Sequence, residues 1–355
     1  MVPARSVTSL PLAGFRSVRG HAAAIDLLRR AVAHDRVAST YLFAGPQGVG
    51  KDRVARALAQ VMNCTQRSAS PDLDACGECR PCKLIATGHH PDLLILQREL
   101  KEPPDNPEKA DEKRRLRREE IPESELRPFI IIDDVRALIT VMAFRPHEGG
   151  TRWVIVREAE RLKTESANAF LKTLEEPPEF THFVLLTHKP SMLLQTIRSR
   201  CQIVRFGPLE DAEVRAVLGD AGVEPAVIEH VAPYAEGSVG RALEFTDTEA
   251  LARRKALVDE LLGALRAHHP GTFVTVGEKS KEAEKRDLDA ALVLFQRHFR
   301  MEALQRAGTQ PRHAAVYAAR ADIVRETLET LDGGGNLNVQ LALEAMLVKL
   351  REARA

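Results

Sequence analysis

Short runs of apolar residues alternate with helically spaced stretches from Ile25 to Phe206. Tyr41–Ala44, Leu93–Leu96, Phe129–Ile132, Trp153–Val156, Phe183–Thr187 and Gln202–Phe206 read as strands. Between them, residues 21–35 place Ile25, Leu28, Ala31 and Val32 on one helical face, and 51–63, 133–144 and 167–175 also read as helices. Apolar runs without polar alternation belong to parallel strands buried on both faces, so an α/β fold with helices on both sides of the sheet is predicted. Past Pro208 the strand signal ends. Segments 210–219, 224–235 and 240–246 read as short helices, and 250–266, 284–307, 312–331 and 337–354 as longer ones. The last carries Val339, Leu343, Met346, Leu347 and Leu350 on one stripe. Three parts follow: an α/β domain over 1–207, a small helical domain over 208–247 and a helical C-terminal domain over 248–355.

Composition narrows the function. The 355 residues carry 51 Lys+Arg against 50 Asp+Glu, which excludes a general basic coat for gripping nucleic acid. Aromatic residues make up 5%, too few for an extended base-stacking platform. No apolar run approaches the roughly 18 residues of a membrane span. Pro3, Arg5, Pro11 and Arg16 interrupt the N-terminus, unlike a secretory signal. A cytoplasmic protein without membrane contact is expected. Residues 97–127 stand apart, with 19 of 31 charged, and read as an exposed insertion whose basic run Lys113–Arg118 is balanced by its own acids.

Four of the five cysteines, Cys64, Cys76, Cys79 and Cys82, lie in a C-x11-C-x2-C-x2-C pattern. Two-residue gaps let neighbouring thiolates turn toward one ion, and a fourth closes a tetrahedron. In a reducing compartment this predicts a structural zinc and not disulfides. Cys201 stands alone and reads as a small packed residue.

Gly45-Pro46-Gln47-Gly48-Val49-Gly50-Lys51-Asp52 follows a strand and opens a helix, matching a phosphate loop except at its last position. Gly45, Gly48 and Gly50 would let backbone N–H groups converge on phosphates, with Lys51 reaching the β and γ groups. Asp52 stands where a hydroxyl usually binds Mg²⁺. The strand Trp153–Val156 runs into Arg157-Glu158, so a cation occupies the position of the acidic metal holder, although Glu158 keeps the water-activating glutamate. Both departures argue against hydrolysis. Binding of ATP or ADP without turnover stays open.

Several further stretches carry a family pattern: Gly20-His21, Ile132–Arg136, Ala159–Leu162, Ser166–Pro178, Thr187–Pro190 and Thr196–Cys201. Together with the phosphate loop and the cysteine knuckle, they resemble the clamp-loader branch of the AAA+ ATPases. The resemblance is dense from about 17 to 207 and absent in the charged insertion. It implies an AAA+ sheet domain, a lid at 208–247 and a collar at 248–355. By the same resemblance, Arg200 in Ser199-Arg200-Cys201 is an arginine finger acting in trans, Thr187 a first sensor and Arg241 a second sensor. The damaged loop implies a member without intrinsic ATPase, part of a DNA polymerase holoenzyme. Implied partners are gamma/tau-like and delta-like subunits, the sliding clamp and primer-template DNA. An ATP-hydrolysing gamma/tau-like motor and a self-sufficient zinc DNA-binding module are the alternatives.

Overall fold

The computed structural model describes residues 10–67, 72–101, 126–148, 150–267, 271–282, 285–332 and 338–353. They form two compact units, Met1–Glu244 and Phe245–Ala355. The core of the charged insertion, with Lys113–Arg118, lies outside the described residues. Its base is closed by an antiparallel bridge between Leu100 and Leu126.

The first unit is built on five parallel strands: β1 Thr40–Ala44, β2 Leu93–Leu96, β3 Arg152–Val156, β4 Thr181–Thr187 and β5 Gln202–Arg205. Their spatial order is β2-β3-β4-β1-β5. Successive strand residues point to opposite faces, and both faces are covered. Tyr41, Phe43, Trp153, Ile155, Val184 and Leu186 pack under helices α1 (Ala22–Ala33), α2 (Lys51–Asn63) and α3 (Arg80–Thr87). Leu42, Val154, Val156, Phe183 and Leu185 pack under α4 (Ile132–Met142), α5 (Thr164–Glu175) and α6 (Gln195–Arg198). This is a parallel α/β sheet with helices on both faces. Edge strand β5 buries only Val204.

One expected strand does not form. Phe129–Ile132 contributes a single parallel bridge, Ile130 to Leu162, and helix α4 begins at Ile132. The Asp134 carboxylate accepts the Ile131 N–H at 3.0 Å, so a capping contact turns the chain into helix before a ladder can extend. Three short helices continue the first unit, α7 Asp211–Asp220, α8 Pro225–Val231 and α9 Val239–Glu244.

The second unit holds α10 Thr248–Arg266, α11 Gly271–Glu282, α12 Lys285–Arg306, α13 Pro311–Asp332 and α14 Val339–Glu352. Leu261, Phe273, Leu292, Phe295, Phe299, Val324, Leu343, Met346, Leu347 and Leu350 form its core. The stripe read on the last helix is buried at Leu343, Met346, Leu347 and Leu350, whereas Val339 is only partly covered. Helix α11 has no counterpart in the sequence reading.

Candidate functional site

The phosphate loop joins the end of β1 to the start of α2, at the carboxyl edge of the sheet. Gly48 has φ +71, a backbone that L side chains avoid, and a Cβ there would lie 2.4 Å from Ser238 Oγ. The close approach is used. Ser238 Oγ donates to Gln47 O at 2.8 Å, and Gly240 N donates to Gly48 O at 3.0 Å. Residues from the start of α9 therefore rest directly on the loop backbone. Lys51 is buried, and its Nζ donates to Gly45 O at 2.7 Å and Pro46 O at 2.6 Å. Burial brings its pKa down to about 8, against the opposing charge of Glu160.

Asp52 and Arg157 meet across the sheet edge. Arg157 Nε donates to Asp52 Oδ1 at 2.8 Å, and Arg56 Nε donates to Asp52 Oδ2 at 2.8 Å. Arg157 Nη1 also donates to Gln97 at 3.0 Å. Burial alone would raise the Asp52 carboxyl, but Arg157 and Arg56 hold it well below the usual carboxylate range. A guanidinium ion pair therefore stands where the motif usually coordinates Mg²⁺. Glu158 is engaged as well: Arg98 donates to both of its carboxylate oxygens, at 2.8 and 2.9 Å. Thr187 is buried beside Ala44 in register, and its hydroxyl accepts the Lys189 N–H at 3.0 Å. Arg241 is ion-paired to Glu236. The sheet edge thus collects Gly45, Gly48, Gly50, Lys51, Asp52, Glu158 and Thr187, while Arg241 follows the Ser238–Gly240 contact.

Arg200 sits elsewhere. It precedes β5, whose first residue Gln202 pairs with Tyr41 near the start of β1, whereas the loop begins at Gly45 beyond its end. At about 3.3 Å per residue, roughly 13 Å of strand separates it from its own loop. Its guanidinium pairs with Glu175 and donates from Nη1 to Thr196 O at 2.8 Å. Cys201 supports the turn. Its Sγ lies 3.1 Å from Ile197 O, and burial pushes its pKa up to about 12.

Cys64, Cys76, Cys79 and Cys82 converge, with all four Sγ atoms within 4.8 Å of one another. That spacing suits one tetrahedral ion, because thiolates at about 2.3 Å from a metal lie just under 4 Å apart. The Cys76 N–H reaches Cys64 Sγ at 3.3 Å, and the Cys79 N–H reaches Cys76 Sγ at 3.3 Å. The knuckle is tied down by buried Asp74, which accepts the N–H groups of Phe15, Arg16 and Ala75 at 2.8 to 2.9 Å. Gln60 holds the other side, donating to Leu12 O at 3.0 Å and Cys82 O at 2.7 Å. These residues can hold a metal ion.

The profile of the family described as DNA polymerase III, delta subunit, matches residues 20–210. The chain belongs to that family. A Bacillus subtilis (strain 168) protein named DNA polymerase III subunit delta' is 26% identical over 345 residues, covering 92% of this chain and 95% of that protein. A Pseudomonas aeruginosa protein of the same name is 36% identical over 164 residues, 46% of this chain and 42% of that protein. A Haemophilus influenzae protein named DNA polymerase III subunit tau/gamma is 30% identical over 263 residues, 71% of this chain and 33% of that protein. The chain thus spans less than half of the second relative and a third of the third. Among solved structures, a gamma subunit-related protein from Thermotoga maritima is 18% identical at a TM-score of 0.40, covering 93% of this chain and 99% of that one.

In this family member, several residues at the site escaped the sequence reading. Arg56 carried a readable signal, because it lies four residues after Asp52 on one helix. Arg98 and Gln97 did not, since they reach Glu158 and Arg157 across 60 residues of chain. Ser238 reaches the loop across 191 residues. Glu160, buried and paired with His188, stands out in the sequence only as part of Ala159–Leu162.

Proposed function

We propose that the chain is a delta-prime-like, non-hydrolysing subunit of a DNA polymerase III clamp loader. In that reading the assembly places the sliding clamp on primer-template DNA, with gamma/tau-like and delta-like subunits beside this one in the cytoplasm. Residues 208–247 act as the lid and 248–355 as the collar. The Asp52–Arg157 pair carries the reading: the two groups that should hold Mg²⁺ neutralise each other instead. A divalent ion brought there would face a fixed guanidinium, and polyphosphate would lose its counter-ion. The loop then serves as a docking surface for Ser238 and Gly240, and Thr187 and Arg241 keep structural roles. Arg200 lies at the sheet edge away from its own loop. Its always-charged planar fork is suited to the γ-phosphate of a neighbouring subunit, with Glu175 holding it meanwhile. The four cysteines hold a structural zinc that closes the knuckle, supplying a cross-link and no open position.

The test is turnover by the purified chain with ATP and Mg²⁺. No phosphate release above background is expected. Release that Lys51→Ala abolishes would overturn the non-hydrolysing reading and favour a gamma/tau-like motor.

A further inference from the structure

Residues 143–148, which lead out of α4 toward β3, are held more firmly than a surface connection needs. Asp92 and Arg152, each 1% exposed, lie 3.8 Å apart and aim their polar atoms at this segment. Arg152 Nη1 donates to Phe144 O at 2.7 Å and Met142 O at 3.3 Å, and Nη2 donates to Arg145 O at 3.0 Å. Asp92 accepts the His147 N–H at 2.8 Å and the Glu148 N–H at 2.9 Å. Burying two charges is costly unless their hydrogen bonds are made, and here both charges bond to one segment's backbone. The Phe144 side chain is 70% exposed, so its own packing does not fix the segment. The backbone contacts beneath it do.

Two further tethers come from the cysteine knuckle. Cys64 follows Asn63 at the end of α2, and Cys79 directly precedes Arg80, the first residue of α3. Asn63 Oδ1 accepts the Thr151 N–H at 2.9 Å. A Cβ on Gly150 would lie 2.3 Å from the same oxygen, so this close approach depends on glycine. Arg80 pairs with Glu148, whose own N–H is held by Asp92. The Arg80 pair is exposed and weak, and the partly buried Asn63 contact is the stronger of the two. Each tether starts one residue from a metal ligand and ends beside the backbone that Asp92 and Arg152 hold. A metal that fixes Cys64 against Cys79 therefore fixes Asn63 against Arg80. We propose that the cysteine knuckle is a metal-dependent clamp on residues 143–148 and Thr151, and that its metal controls the order of the backbone that presents Phe144. This rests on the structural zinc proposed above. The Asp92–Arg152 pair shapes the segment, and the metal keeps it in place.

Hydrogen exchange of the full chain, zinc-loaded and after treatment with a zinc chelator under reducing conditions, tests this. Removing the metal should speed exchange of the His147, Glu148 and Thr151 amides by about tenfold or more. The Phe206 amide, which donates to Ala44 O at 2.8 Å in the same unit, is the control and should change by less than about twofold. Asn63→Ala should keep about one zinc per chain and still speed the Thr151 amide by about tenfold. Gly150→Ala, which displaces the Asn63 side chain, is read in the same way should Asn63→Ala fail to fold. Unchanged exchange at His147, Glu148 and Thr151 after zinc leaves would overturn the proposal. Equal acceleration at Phe206 would show the metal holding the whole unit and would overturn it too. Protein that never retains zinc removes the zinc reading together with this one, whereas zinc-loaded protein that does not respond removes this one alone.

Discussion

Asp52 and Arg157 are the two residues whose identities depart furthest from a working phosphate loop, and they contact each other. Each is mostly buried, so removing one takes a counter-charge from the other, although Arg56 still pairs with Asp52 and Gln97 still accepts from Arg157. Asp52→Asn and Arg157→Gln should each destabilise by about 1–3 kcal/mol, and the double variant by less than the sum. Urea unfolding of all four proteins measures the coupling; strict additivity would show that the pair is incidental. Lys51 gives a second residue-level expectation. Its pKa is near 8 in the fold and about 10.4 when unfolded, so the unfolded chain binds more protons between those values. Stability therefore rises with pH through that window, by up to about 2–3 kcal/mol, and the rise should be absent from Lys51→Met. Identical pH profiles for the two proteins would contradict the burial of that amine. The motif mismatch at Asp52 and Arg157 was legible in the sequence; their contact was not. They lie 105 residues apart, and nothing local in either segment encodes the other.

The cysteine knuckle shows how an element is specified from outside itself. Spacing alone brought Cys64, Cys76, Cys79 and Cys82 together, but Asp74 and Gln60 fix where the knuckle attaches. Gly14 has φ +67, and a Cβ there would lie 1.9 Å from Asp74 Oδ1, so Gly14→Ala should strain the backbone and break the carboxylate's contacts at once. We expect it to lower stability by about 2–4 kcal/mol and to weaken metal retention, with Asp74→Asn doing less. Metal analysis should return about one zinc per chain, and Cys79→Ser should reduce it. Zinc-free protein with an unchanged melting temperature would remove the metal from the account. Among the other elements, the strands at 41–44, 93–96 and 153–156 were legible because strands buried on both faces read as unbroken apolar runs. Phe129–Ile132 has the same composition, yet Asp134 caps a helix across it. Helix α11, Gly271–Glu282, was hidden for the opposite reason. Its sequence carries glycine and β-branched residues with poor helical propensity, and burial of Phe273 and Val276 stabilises it through tertiary packing.

At the scale of the whole molecule, the same chain combines a phosphate loop whose Asp52 is ion-paired to Arg157 with a Ser199-Arg200-Cys201 turn at the opposite edge of its sheet. In the proposed function, an arginine that lies away from its own loop serves a neighbouring subunit instead. The end of the sheet was legible from where the strand signal stops after Phe206. The separation of Arg200 from the loop required the register of β5 against β1. Arg200 is tethered by Glu175 at the surface, where an ion pair contributes little to stability, so its loss should not disturb folding. The decisive measurement is the clamp- and DNA-stimulated ATPase of an assembled loader containing Arg200→Ala, with assembly verified by size-exclusion chromatography. The account predicts an intact complex whose stimulated turnover falls several-fold, with Arg200→Lys restoring little because an ammonium lacks the planar fork. An assembled Arg200→Ala complex that hydrolyses ATP at the unaltered rate would contradict it.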